Sequence, residues 1–318
     1  MSTESPNQRT LHKERQSQLL NSVSYTQEFI ANLDPSLDYV KVACPTCGHQ
    51  SVDYLFEKNG GRYVYCPQCE HVFLGNQLIS QQLLNFYSGY PTNTLEWHLN
   101  ESEFYHRIYS KGLDLINKNS DNCKVLDIGC SSGFFLSIAQ KLGMDAFGIE
   151  PNQLEAAYAQ RNGINVLGSS ISSLDHNQSF DLITLWDVLE HIPNPVDYIQ
   201  SLTKYLNPNG LIFVQVPSSD SLAAKIMREH CNMFDGVEHL TLFSKRSLNL
   251  AFSAAGLELA AYDTVISEAY AINNFLAYSH DPYLTEASNR ILDLLLSPEA
   301  IEASGLGYKM QAVYQLKK

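Results

Sequence analysis

Basic residues are scarce in this chain: 21 Lys and Arg stand against 34 Asp and Glu in 318 residues, a formal charge of −13. Binding to a phosphate backbone relies on Lys and Arg displacing counterions, so this balance argues against a nucleic-acid partner. No apolar run approaches the ~18 residues of a membrane span, and no membrane partner is expected. The opening residues, MSTESPNQRTLHKERQ, lack the apolar stretch of a secretory leader, so a cytoplasmic location is expected. A disulfide framework is also missing. The seven cysteines are odd in number, and four of them form two CxxC pairs, which points to a metal. What remains is an ordinary globular composition, 44% hydrophobic and 17% charged, long enough for a full α/β domain and a smaller companion.

The cysteine pairs are CPTCG from Cys44 and CPQCE from Cys66. Each puts two thiolates on one tight turn. Between them VDYLFEK and RYVYC read as two strands joined by a turn at Asn59, Gly60 and Gly61, a hairpin that brings the pairs together. Cys44, Cys47, Cys66 and Cys69 therefore suit structural Zn(II), with all four positions filled and none left for a reactive water. His49 and His71 read as surface residues beside this centre.

Residues 1–38 form a polar extension whose first twenty residues are expected to be mobile, with a helix over 24–33. Residues 39–77 form the zinc-binding unit. Residues 78–120 form a helical connector rich in aromatics: Tyr87, Tyr90, Trp97, Tyr105 and Tyr109. These rings suit packing, or a lid over a cofactor. From Cys123 strands and helices alternate with short connections, the pattern of a parallel sheet covered on both faces.

The stretch KVLDIGCSSGFF, from Lys124, runs strand, small-residue turn, helix, so its backbone admits a small ligand closely. A dinucleotide fingerprint needs small residues at Gly129, Ser131 and position 134. Phe134 breaks it and disfavours a nicotinamide or flavin cofactor. No phosphate-binding lysine follows the turn.

The motifs from Cys123 to Lys318 resemble the class I S-adenosylmethionine (SAM)-dependent methyltransferases. LDIGCSSGFF is similar to that family's first motif, with Asp127, Gly129 and Gly133 matching and Ser131 standing where glycine is commonest. Glu150 falls where the family's acid accepts hydrogen bonds from both ribose hydroxyls. FDLITLWDVLEHIPNP resembles the fourth-strand motif and NPNGLIFVQVP the fifth. The third strand, read through Ser170, lacks the acid often seen near adenine, which leaves adenine to the backbone and Ser170. The resemblance implies an α/β, Rossmann-like, seven-stranded methyltransferase core over 121–318, with a helical insertion at 268–297 and a small N-terminal zinc-ribbon-like unit. It implies SAM as cofactor, held by Asp127, Gly129, Cys130, Ser131, Gly133, Phe134, Glu150, Pro151, Ser170, Ile171, Trp186, Asp187 and Val188. Asp187 also suits a helix cap.

The cysteine unit, the aromatic connector and EHLTLFSKRSL downstream together resemble the sugar C-methyltransferases, which act on nucleotide-linked deoxysugars. The length is nearer that of zinc-ribbon methyltransferases of natural-product clusters. A small-molecule acceptor is expected. Methyl transfer is an in-line displacement, and a hydroxyl or carbon acid must lose a proton as it attacks, which calls for a base. His191 and His239 are the candidates, with Glu190 and Glu238 beside them; a packed or capping histidine is the alternative for each. Tyr270, Asn273, Asn274, Phe275 and Tyr278 in the insertion suit substrate specificity or a homodimer contact. Two rivals stand: an RNA methyltransferase using the zinc ribbon as its RNA module, and a non-catalytic SAM-fold binding protein.

Overall fold

The computed structural model describes residues 16–89, 99–116, 123–278, 281–283 and 290–317. The chain folds as two compact units. One consists of Met1–Asn93, Pro217–Ser247 and Thr264–Lys309, the other of Thr94–Val216, Leu248–Asp263 and Met310–Lys318. The sequence grouped 217–247 and 264–309 with the domain at 121–318, whereas here they pack with the cysteine-bearing residues. Among the described residues, no helix is long and apolar enough to cross a membrane.

In the cysteine-bearing unit, β1 (Tyr39–Lys41) pairs antiparallel with β5 (Asn76–Leu78). The expected hairpin is β2 (Asp53–Lys58) and β3 (Gly61–Cys66). The other strands escaped the sequence reading: β1 and β5, β4 (His71–Leu74), and β11 (Thr241–Leu242), which joins β4 from far along the chain. The sheet order is β11-β4-β3-β2. Its apolar face buries Phe56, Tyr63, Val72 and Leu74 against Met227, Met233, Phe234, Leu240 and Ile272. That shared core is why 217–247 and 264–309 belong to this unit. The helix expected over 24–33 is α1 (Gln16–Ala31), whose Tyr25, Phe29 and Ile30 pack against Phe86 of α2 (Ser80–Gly89), Leu78 and Val237.

Gly61 and Gly236 touch backbone to backbone: a Cβ on Gly61 would lie 2.2 Å from the Gly236 oxygen. Gly61→Ala is therefore expected to cost this unit about 3 kcal/mol by overpacking, read from chemical denaturation.

The other unit holds a seven-stranded sheet. Its strands are β6 (Lys124–Ile128), β7 (Asp145–Ile149), β8 (Asn165–Gly168), β9 (Phe180–Trp186), β10 (Leu206–Pro217), β12 (Leu257–Val265) and β13 (Lys309–Leu316), in the order β12-β13-β10-β9-β6-β7-β8. The strands β10, β9, β6, β7 and β8 run parallel. After Lys124 every residue of β6 is buried, as in a central parallel strand, and Asp127 is the one polar side chain among them. Helix α3 (Ser102–Ile116) brings Tyr109 onto Phe134, Phe135 and Trp186, so two of the expected connector aromatics, Tyr105 and Tyr109, are packing residues. Tyr90 and Trp97 lie outside the described residues.

Three expectations need correcting. The third strand stops at Gly168, and Ser170 instead precedes a short turn of 3-10 helix at Ile171–Ser173. The residues at 207–210 lie inside β10 at a register irregularity, not in a separate turn. The helical insertion reduces to α9 (Ala269–Leu276) and one 3-10 turn at Leu292–Leu294, with 279–280 and 284–289 outside the described residues.

Candidate cofactor and metal sites

The chain leaves β6 for β7 on one side and returns through β9 on the other, so the carboxyl end of β6 is a switch point where such sheets bind ligands. The turn that follows has Gly129 at φ 72° and Gly133 at φ 78°. Side chains are excluded there as well as strained: a Cβ would lie 2.8 Å from Val188 Cγ2 at Gly129 and 2.6 Å from Ile164 Cγ1 at Gly133. Ser131 also takes a left-handed conformation, φ 49°. Helix α4 (Phe134–Lys141) starts at Gly133 with no side-chain cap, leaving its first turn open to a polar ligand.

Glu150, just past β7, is buried and closes this turn. Its Oε2 accepts the Ser131 N–H at 2.7 Å and its Oε1 the Asn152 N–H at 2.7 Å. Burial pushes the carboxyl up to about 7, outweighing those N–H groups. Burial likewise raises Asp127 to about 8, against the hydrogen bond donated by Thr184 at 2.7 Å. Asp127 therefore braces β6 to β9 from below the turn. Ser131 Oγ and Trp186 Nε1 are buried with no hydrogen-bond partner among the described residues. An acid able to take further hydroxyl donors, two unused donors and a turn closed to side chains at Gly129 and Gly133 fit SAM. When bound, SAM supplies a methyl group activated on a sulfonium. Cys130 is buried behind the turn, Phe134 half-buried against Tyr109, and Pro151 and Ser170 exposed, with Ile171 half-buried. The Ser170 hydroxyl meets that of Ser172 at 2.7 Å.

Beyond β9, Asp187 sits at φ 55°, a costly conformation for a residue with a side chain. Two residues the sequence reading missed hold it there. Gln215 accepts the Asp187 N–H on its carbonyl at 2.9 Å and donates from Nε2 to Asp187 Oδ2 at 3.0 Å. Gln311 in turn donates to Gln215 Oε1 at 2.9 Å. A glutamine inside the apolar run LIFVQVP was a usable signal, because a buried amide must find partners. Asp187 is no helix cap: the 3-10 turn Leu189–His191 is preceded by Val188, which makes no side-chain cap. Within that turn Glu190 is buried and His191 half-buried.

His239 belongs to the cysteine-bearing unit. Its Nδ1 lies 2.7 Å from the Met233 carbonyl and 3.0 Å from Asp235 Oδ2. Both partners accept, so Nδ1 carries a hydrogen. Burial raises the Asp235 carboxyl, but His239 and the N–H groups of Val237 and Glu238 outweigh it and hold it below the usual carboxylate range. Asp235, four residues before His239, also escaped the sequence reading.

Cys44, Cys47, Cys66 and Cys69 place their sulfurs within 4.8 Å of one another. The Cys44–Cys69 and Cys47–Cys66 separations are 3.4 and 3.6 Å. Four Zn–S bonds of about 2.3 Å give a tetrahedral edge of about 3.8 Å, so the cluster is sized for Zn(II). The Cys69 S–H and the N–H groups of Cys47 and Thr46 hold the Cys44 thiol down, against burial. His71 corrects the sequence reading: it is fully buried, bonded through Nδ1 to the Thr46 hydroxyl, and burial lowers it to about 3. It is a neutral structural residue behind the first cysteine turn.

The family described as a methyltransferase domain matches residues 101–262, half of the chain. A ubiquinone biosynthesis O-methyltransferase of Actinobacillus pleuropneumoniae serotype 5b (strain L20) is 31% identical over 116 residues, 32% of this chain and 50% of its own length. That of Proteus mirabilis (strain HI4320) is 29% identical over 130 residues, 37% of this chain and 53% of its own. This chain spans about half the length of the curated relatives it matches. Among solved structures, a chain from the complex of the Haloferax volcanii Trm112 methyltransferase activator with a methyltransferase aligns over 70% of this chain and 97% of its own, at 16% identity and a TM-score of 0.49. With half its length matched, this chain belongs to the methyltransferase-domain family.

Proposed function

We propose that this protein is a SAM-dependent methyltransferase that methylates a small-molecule acceptor on oxygen, with Zn(II) as a structural ion on its four cysteines. The carrying observation is Glu150, buried beside a turn closed to side chains at Gly129 and Gly133, with unused donors at Ser131 in the turn and Trp186 at the end of β9. In this reading Glu150 accepts the ribose hydroxyls, while Ser131, Trp186 and the open turn of α4 take the polar methionine end. The oxygen acceptor follows from the names of the curated relatives. A nucleotide-linked sugar is the acceptor suggested by the cysteine unit and is one compound to try. His239, His191 and Glu190 are the candidates for the base that takes the hydroxyl proton as the new O–CH3 bond forms and the methyl leaves its sulfur.

Calorimetry with SAM and its demethylated product S-adenosylhomocysteine (SAH) tests the reading. One saturable site is expected, and no binding of either compound removes it. With an acceptor in hand, His239→Ala is expected to lower kcat about 100-fold or more, the usual worth of a positioned base, with SAH affinity unchanged within about twofold. Turnover unchanged from the parent in both His239→Ala and His191→Ala, with SAH binding intact, would exclude both histidines.

A further inference from the structure

The Asp235–His239 pair is fastened by the same strands that leave the cysteine cluster. At the Gly61 end of β3, the Tyr63 phenolic oxygen accepts the Gly236 N–H at 2.9 Å. Asn59, in the hairpin turn, donates from Nδ2 to the Asp235 carbonyl at 2.9 Å. A Cβ on Gly236 would lie 2.1 Å from the Lys58 oxygen, so the turn and the 235–236 backbone are in direct contact. Phe234 packs edge-on against both Phe56 and Tyr63, with ring centroids 4.9 Å apart in each case. On the other flank β4 reaches Leu74, whose N–H donates to the Leu240 carbonyl at 3.0 Å, and Val72 and Phe73 pair with Leu242 and Thr241. The far ends of β3 and β4 are Cys66 and His71, at the second cysteine turn. The segment carrying Asp235 and His239 is thus gripped on both flanks by strands anchored at the metal centre.

We propose that Tyr63 and Asn59, and through β3 and β4 the four-cysteine centre, are positioning elements for the Asp235–His239 pair, holding the imidazole with its hydrogen on Nδ1. Only the consequence for turnover rests on His239 being the base; the geometry stands without it. The distinction matters because the cluster has no open position for chemistry of its own. Its part in function is then to keep one imidazole aimed, and loss of the ion unlocks that imidazole before any residue of the cofactor turn is touched.

Nitrogen NMR of the histidine rings, on the full zinc-loaded chain, tests this. The His239 signal is assigned by its loss in His239→Gln and is expected to show a protonated Nδ1. Tyr63→Phe and Asn59→Asp are each expected to convert that signal to a mixture of tautomers and to lower kcat about tenfold, with SAH affinity within about twofold of the parent. Stripping the zinc with a chelator is expected to give the same mixture, and restoring Zn(II) to reverse it. Persistence of the parent His239 signal in both variants, or in the zinc-free protein, overturns the proposal, even if thermal stability falls. Failure of the parent to bind SAH counts against the methyltransferase reading alone, since the ring tautomer is read without cofactor.

Discussion

Glu150→Ala is expected to weaken SAH binding by at least about 100-fold, the loss of roughly 3 kcal/mol that two hydrogen bonds to a charged acceptor supply. The carboxylate also organises the turn, because its two oxygens accept the N–H groups of Ser131 and Asn152. Alanine therefore removes the ribose partner and releases the backbone that the methionine end must meet. Glu150→Gln separates these contributions. An amide oxygen still accepts one N–H, but its NH2 group faces the other N–H, and the negative charge is gone. A loss near that of alanine assigns the effect to charge; a loss below about tenfold assigns it to the turn.

The same residue sets a pH dependence. Burial holds the Glu150 carboxyl at about 7 in the free protein, while ribose hydroxyls donate to the ionised form. Binding therefore draws the carboxylate from a population that shrinks tenfold per pH unit below 7. SAH affinity at pH 6 is expected to be about tenfold weaker than at pH 8, and calorimetry at both values checks it. Glu150→Gln is expected to show no such change. Stability moves the opposite way: a carboxyl raised by folding favours the folded state below its ordinary value near 4.5, and that advantage is lost as pH rises through about 7. Asp127, raised to about 8, adds in the same direction.

The part of this protein legible in its sequence is the part built from contiguous residues. The turn from Gly129 to Gly133 and the acid at Glu150 announce themselves because strand, turn and helix follow one another along the chain. The CxxC pairs do so because each turn is local. What the sequence hides is pairing across long separations. Thr241 and Leu242 form a strand only because β4 offers an edge, and two residues carry no periodicity. Gln215 and Gln311 look like isolated polar residues until three strands stack them beside Asp187. His71 looked exposed because it follows a surface-type turn, yet Phe73 and Phe243 enclose its ring. The Asp235–His239 spacing was on the page as a simple interval of four, but its meaning depends on Met233 and Asp235 sharing one ring nitrogen.

Removing the metal is expected to have the largest effect on stability. Structural zinc contributes about 10–16 kcal/mol of apparent folding free energy in small zinc-binding peptides, more than most domains possess in total. Here the sulfurs of Cys44, Cys66 and Cys69 are themselves core, packed with Val64 and Phe73 and flanked by Val42 and Val52. Without an ion, that cluster holds four thiol groups whose protons compete for one small space, with Cys69 pushed up and Cys44 pulled down by the same contact. Cys66→Ser is expected to abolish the one equivalent of zinc and to unfold the sheet β11-β4-β3-β2 at ordinary temperatures, with Arg62 and Tyr63 becoming sites of rapid proteolysis. Zinc content by atomic absorption and limited proteolysis check both outcomes. SAH binding is the internal control, since Asp127, Glu150 and the turn between them lie in the other compact unit. A Cys66→Ser protein that keeps its zinc and resists cleavage would mean that three thiolates and a neighbour suffice. The neighbour most exposed to that test is His49, whose carbonyl already accepts the Cys44 N–H at 3.0 Å, and a His49→Ala change added to Cys66→Ser then decides whether its ring has taken the fourth position.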